Sequence, residues 1–134
     1  MKVEQALTDT TNDDLRWVLA AAKAADDKLG TDISIIDVGT VLAITGHFVI
    51  VSGRNTRQVR AIAEEIEEQL FILDGPRPLR VEGKEEYHWL LLDYGDFVVH
   101  VFDVDAREYY DLDRLWSDQP KVAFEATPRT APAD

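Results

Sequence analysis

The sequence has no cysteine, so disulfide staples and thiolate chemistry are excluded, and nothing in it argues for an oxidising compartment. No apolar run approaches the roughly 20 residues a membrane helix needs. The first nine residues, Met1 to Asp9, contain no apolar core of a signal peptide, so the expected location is the cytoplasm. Recognisable chemistry is also scarce. There is no HExxH or Cys/His metal spacing, no G-x-S-x-G elbow, no Walker A sequence and no G-x-G-x-x-G. Basic residues are few: 14 Lys and Arg stand against 26 Asp and Glu, for a formal charge of −12. Arg54, Arg57 and Arg60 form the only basic cluster, and acids follow at Glu64, Glu65, Glu67 and Glu68. A phosphate backbone is repelled by such a surface. Direct nucleic-acid binding is therefore not expected as the main contact. Acidity of this degree serves solubility, or favours encounter with a basic protein.

What is present suits one domain. The chain has 134 residues, 46% of them hydrophobic, enough for a real core. Thr11-Asn12-Asp13 offers N-caps for a helix with Leu15, Val18, Leu19, Ala22 and Leu29 at helical spacing, stopped by Gly30. Trp17 lies beside that stripe and is read as packing at its rim. Ile33–Val38, Val41–Ile44 and Phe48–Val51 read as strands, with Gly46 as a bend. A second helix carries Val59, Ile62, Ala63, Ile66 and Leu70 on one face, with Asn55 and Gln58 as a capping box and Arg60–Glu64 as an i,i+4 pair. After the breaker Asp74-Gly75-Pro76-Arg77-Pro78, Leu79–Val81 begins an edge strand. His88–Asp93 suits a central strand covered on both faces. Phe97–Phe102 pairs with it across a turn in which Gly95 and Asp96 tolerate positive φ. Tyr109–Trp116 suits a short helix capped by Asp111. The expected fold is a single α/β domain, a mixed β-sheet covered by helices, over residues 1–116. A flexible tail follows over 117–134.

Most of the aromatic residues and most of the excess negative charge are concentrated late in the chain. Tyr87, Trp89, Tyr94, Tyr109, Tyr110 and Trp116 fall in one stretch. Residues 85 to 118 carry ten acids against Arg107 and Arg114 alone. Aromatics dominate interface hot spots and cores alike. Aromatic anchors in an acidic field suit a binder of a basic protein; equally, Trp89 on its strand suits core packing. His47, His88 and His100 are too dispersed for a metal site, and His100 shares its strand face with Val98 and Phe102, which suits a hydrogen-bonded structural histidine. Ser52-Gly53 before the arginine-bearing helix is the sole candidate anion cradle.

These residues carry a resemblance. Val81-Glu82-Gly83, Trp89, Leu92-Asp93-Tyr94-Gly95-Asp96, Val98-Val99-His100-Val101-Phe102, Arg107, Tyr109-Tyr110-Asp111-Leu112 and Leu115-Trp116 are similar to the ribosomal silencing factor family, also called the Iojap or RsfS family. A second block, Phe48-Val49-Ile50, Ser52-Gly53, Arg57-Gln58-Val59 and Ile62-Ala63, matches as well. The resemblance implies a nucleotidyltransferase-like α/β fold without the catalytic motif, no enzyme activity, and no cofactor or metal. It implies docking on the basic large-subunit ribosomal protein fourteen, which would block subunit joining and repress translation, and a homodimer when free. The alternatives are a large-subunit assembly factor or, from another class, a nucleotidyltransferase-like enzyme. The residues expected to meet the partner are Trp89, Asp93, Tyr94, Gly95, Asp96, His100, Tyr109, Tyr110, Leu112, Leu115 and Trp116. One departure is Thr45-Gly46-His47, where the family pattern has an acid.

Overall fold

The computed structural model describes the backbone of residues 2–128 and the side chains from Leu15 onward. Nine elements follow in order: α1 (Lys2–Asp27), β1 (Thr31–Asp37), β2 (His47–Gly53), α2 (Thr56–Ile72), β3 (Arg80–Glu82), β4 (Trp89–Asp93), β5 (Phe97–Asp103), α3 (Val104–Tyr110) and α4 (Leu112–Leu115). The strands form one mixed sheet in the order β1-β2-β5-β4-β3. Only β2 and β5 pair in parallel. The α/β domain with a mixed, helix-covered sheet is thus as expected.

Side chains alternate across a strand, so each strand feeds two cores. Val49, Val51, Leu90, Leu92, Val99 and Val101 meet α1 and α2 through Val18, Ala22, Val59, Ile62, Ile66 and Leu70. On the other face, Ile36, Ile50 and Phe102 lie under Ala106, with Leu112 and Trp116 packed beside them. That second face is covered only at one end.

Helix α2 follows its sequence closely. Asn55 accepts from the Gln58 N–H at 2.9 Å, and Arg60 meets Glu64 at 3.0 Å. Gln58 closes the box one residue early, accepting from the Arg54 N–H at 2.6 Å.

Several expectations are corrected. α1 runs through residues 11–13, so no helix begins there, and side-chain capping at those positions lies outside the described residues. Its C-terminus closes with Leu29, not Gly30, in the left-handed region (φ 65°), while the Gly30 N–H reaches the Ala25 carbonyl. Gly30 is required for another reason: a Cβ there would lie 2.6 Å from Val51. Leu29 is therefore exposed rather than on the apolar stripe. Val41–Ile44 is no strand but part of a loop closed by Val38 N–H to Gly46 O. β4 lies inside the sheet between β5 and β3, with β5 at the centre, and it is buried on one face only: Leu90 and Leu92 meet the helix-side core while Trp89, Leu91 and Asp93 are half-exposed. In the β4–β5 turn only Gly95 has positive φ (87°). Asp111 does not cap a helix with its side chain; it sits at φ 50° as the joint between α3 and α4.

Residues 117–128, expected as a mobile tail, are tied to the domain. Asp37 N–H donates to Pro120 O and Val122 N–H to Ile35 O, extending the β1 edge. Val122 and Phe124 pack on the helix-side core, and Thr127 donates to Asp26 through both its N–H and its hydroxyl. Residues 129–134 lie outside the described residues.

Candidate partner-docking surface

The late strands and short helices bring a set of aromatic rings together at the covered end of the second sheet face. The Trp89 ring stacks on Phe102 at 4.9 Å and meets Tyr110 at 4.6 Å. Phe48 stands edge-on to both His100 (4.7 Å) and Trp116 (5.5 Å). Both tryptophans are half-buried, each with one flank against the core and one turned outward. On α3 and α4, Tyr109 (80% exposed), Leu115 (72%) and Tyr110 (48%) extend this apolar surface into solvent. Leu112 is half-buried beneath them.

Arg107 holds this platform rigid. Its guanidinium grips Asp113 with two bonds, 2.7 and 3.0 Å, and donates to Ser52 Oγ at 2.9 Å. A planar fork on a carboxylate fixes both partners' orientation. It therefore locks α4 to α3 and both to the end of β2. Burial raises the pKa of Asp113, but the Arg107 contact outweighs it and holds it below the ordinary value. Asp103 secures the other end of α3 by accepting from the Ala106 N–H at 2.8 Å, and its second oxygen pairs with His88 Nδ1. The hydrogen bond to Asp103 is the main reason the His88 pKa is raised.

The expected contact residues separate here. Trp89, Tyr109, Tyr110, Leu112, Leu115 and Trp116 form the platform. His100 lies behind it, buried, accepting from Trp89 Nε1 at 3.1 Å on Nδ1. Burial pushes its pKa down to about 4, so the ring is neutral. Asp93 sits at the end of β4 with its carboxylate engaged by the Gly95 N–H (2.9 Å) and by Arg80 (3.0 Å); both lower its pKa. Asp96 is exposed in the turn. Tyr94 is not brought to this surface. It is 5% exposed on the helix-covered face and stacks on Phe97 at 4.8 Å, and its phenol pKa is raised mainly by burial.

Sequence reasoning passed over Arg107, Phe48 and Phe102 as contributors, although all three fall in the blocks that carry the resemblance. No periodicity rule marks a positioning arginine. It also passed over an apolar groove of about 420 Å³ beside the platform, lined by Leu42, Ile44, Phe48, Leu79, Leu91 and Val98.

The Ser52-Gly53 segment does not form an anion cradle. Ser52 is 3% exposed and its hydroxyl is taken by Arg107. Gly53 is needed because a Cβ would press on Val59 at 3.1 Å. The nearby cleft at Arg54, Asn55 and Thr56 is shared with Asp103 and Asp105, carboxylates that repel phosphate. Among the described residues, no three His, Asp or Glu side chains converge as metal ligands would, and no helix is long and apolar enough to cross a membrane.

Fold and surface together define an α/β domain with one sheet face closed by α1 and α2 and the other partly open beside an aromatic platform. Residues 10–134 match the family described as "ribosomal silencing factor during starvation", so the matched region includes the segment after Trp116. The chain is 43% identical over 100 residues to the ribosomal silencing factor RsfS of Bacillus subtilis, covering 75% of this chain and 84% of that protein. It is 34% identical over 89 residues to the mouse "mitochondrial assembly of ribosomal large subunit protein 1", covering 64% of this chain and 39% of the mouse protein. A crystal structure from Chromobacterium violaceum superposes with a TM-score of 0.73 at 32% identity, covering 84% of this chain and 93% of that one. The chain belongs to the ribosomal silencing factor family.

Proposed function

We propose that this protein docks on the large ribosomal subunit through the platform of Trp89, Tyr109, Tyr110, Leu112, Leu115 and Trp116, with Asp96 at its rim. Its partner there is the basic ribosomal protein fourteen, and its presence keeps the small subunit from joining, which represses translation. The observation that carries this reading is the rigid aromatic platform offered to solvent in an acidic field, on a chain of this family. Half-buried tryptophans backed by a core are pre-organised anchors, so little ordering entropy is lost on docking. The acidic surroundings raise the encounter rate with a basic partner. Steric exclusion needs occupancy of a surface and no chemistry, and the engaged Ser52 hydroxyl leaves the nucleotidyltransferase-like alternative without its loop.

The test is co-sedimentation with isolated large subunits, followed by addition of small subunits. The protein is expected to pellet with large subunits and to lower the yield of joined ribosomes. Folded Trp116→Ala and Asp96→Ala proteins that bind like the wild type would remove the assigned surface. Thermal stabilisation by a nucleotide with Mg²⁺ would favour the enzymatic alternative. A second reading, assembly of the large subunit, is favoured by the mouse relative's name; binding without any effect on joining would favour it. In the free protein the same apolar platform suits self-association into a homodimer in the cytoplasm. Light scattering showing only monomer at all concentrations would remove that idea.

A further inference from the structure

The groove beside the platform holds polar groups that the fold does not satisfy. His100 is 4% exposed, and Trp89, which can only donate, occupies its Nδ1. The neutral ring therefore carries its hydrogen on Nε2, and Nε2 has no hydrogen-bond partner. Thr45 Oγ1, at the same groove, is likewise buried and unpartnered. Buried donors without acceptors are costly and uncommon in folded proteins. Around them the lining is mostly apolar, with the paired Arg80 and Asp93 at its border, and its rim is prominent: Ile44 is 84% exposed and Leu79 72%. His100 touches both Phe48 and Trp89, so the groove is continuous with the aromatic platform. Asp96 follows directly on the groove-lining Gly95 and gives this side of the surface an acidic edge.

We infer that this groove is the specificity-determining part of the docking surface. It receives an aliphatic side chain from a segment of the same basic ribosomal partner, and an acceptor oxygen of that segment, a carbonyl or carboxylate, is bonded by His100 Nε2. The inference rests on the docking function proposed above. The groove supplies the apolar seat, His100 a buried donor that lacks an acceptor, and the loop of residues 39–46 one wall through Leu42, Ile44 and Thr45. Thr45, part of the tripeptide that departs from the family pattern, adds a second polar group that such a segment can pair. A site that hydrogen-bonds its ligand in an apolar seat rejects ligands lacking the matching group strongly, because its own buried group is then left unpaired.

Three variants test this with isolated large subunits. Ile44→Ser alters an exposed side chain, so the free protein keeps its melting temperature, while binding is expected to fall about tenfold. His100→Asn keeps an acceptor for Trp89 but removes the Nε2 donor, and binding is expected to fall about tenfold. His100→Gln places an amide donor near the Nε2 position, and binding is expected to stay within about threefold of wild type. Circular dichroism and melting curves establish that all three are folded. Wild-type binding by Ile44→Ser and His100→Asn overturns the inference, as does equal weakness of His100→Asn and His100→Gln. A change in the self-association of Ile44→Ser with unchanged subunit binding assigns the groove to a second copy and also overturns it. Failure of the wild-type protein itself to bind large subunits overturns the docking function instead.

Discussion

Trp89 illustrates how one side chain serves stability and surface at once. Its ring lies on Phe102 and its indole N–H is held by His100, so the exposed flank is fixed before any partner arrives. Trp116 stands edge-on to Phe48 and packs on the same core. Truncating such an anchor, as in Trp116→Ala, is expected to weaken large-subunit binding by about 2 kcal/mol or more, close to thirtyfold. An equilibrium titration of the folded variant measures this. His88 and Asp103 give a pH signature. The raised His88 value means its contribution is complete below the ordinary histidine pKa of 6.5 and is lost as pH rises through the folded value. Burial acts to raise Asp103, but its bonds to His88 and the Ala106 N–H hold it below 3.8, so its contribution is present above that and fades only in stronger acid. The pair is therefore intact between the ordinary carboxylate and histidine values and loses the histidine charge as pH rises through the raised His88 value. His88→Gln should lower the melting temperature more within that window than above the raised His88 value; an equal drop at both would show that the pair carries no charge-dependent stability.

At the scale of elements, the register of β4 depends on Gly83. It sits at φ 100°, and a Cβ there would come within 2.1 Å of the Trp89 carbonyl oxygen. Only glycine lets the chain turn so tightly beneath the strand that carries Trp89. Gly83→Ala is expected to cost about 2 kcal/mol or more in stability, read by urea unfolding, and to weaken subunit binding as β4 shifts. A wild-type unfolding midpoint would show that the loop relaxes without cost. The segment after Trp116 also acts as an element. Pro120 to Val122 bonds the outer edge of β1, and Val122 and Phe124 cover the helix-side core. Ending the chain after Ser117 should expose a bare strand edge and two apolar seats. The expected outcome is a loss of about 2 kcal/mol with increased self-association, measured by melting and light scattering. Unchanged melting would make the segment dispensable to the fold.

The whole molecule is an acidic body with its basic groups dispersed or already paired, as Arg107 is with Asp113 and Arg80 with Asp93. Attraction to the proposed basic partner would act at long range and be screened by salt, since the Debye length falls from about 10 Å at 0.1 M to about 3 Å at 1 M. The association rate with large subunits is expected to fall as salt rises, with dissociation nearly constant because the anchors are apolar. Asp96→Ala should lower that salt sensitivity. Stopped-flow rates at two salt concentrations decide it: dissociation carrying the salt effect would place buried charge pairs, not steering, at the interface.

Much of this was legible in the residues. The five buried positions of α2, Val59, Ile62, Ala63, Ile66 and Leu70, follow from helical spacing alone, and the Asn55 cap and the Arg60–Glu64 pair are local in the chain. Such features need only a few neighbouring residues, and their physics is complete within one element. The acidic charge and the late cluster of aromatics were likewise plain. Long-range placement was not. Periodicity could not tell that β5 rather than β4 takes the centre of the sheet, because a run such as Leu90-Leu91-Leu92 reads the same with one face covered or two. It could not separate Tyr94, turned to the core, from Trp89, half open, since the face each occupies is set by strand register against distant partners. The segment after Ser117 looked detached because its proline and threonine content signals no element of its own; its order comes from the edge of β1, a contact some 85 residues away in sequence between Ile36 and Lys121. Sequence by itself determined α2, the core strands, the charge and the family blocks, because these depend on local spacing and composition. The tertiary structure alone decided which aromatics stay open to solvent, which carboxylates are already engaged, and that His100 keeps a buried donor unspent, because each of those depends on which groups the folded chain brings together.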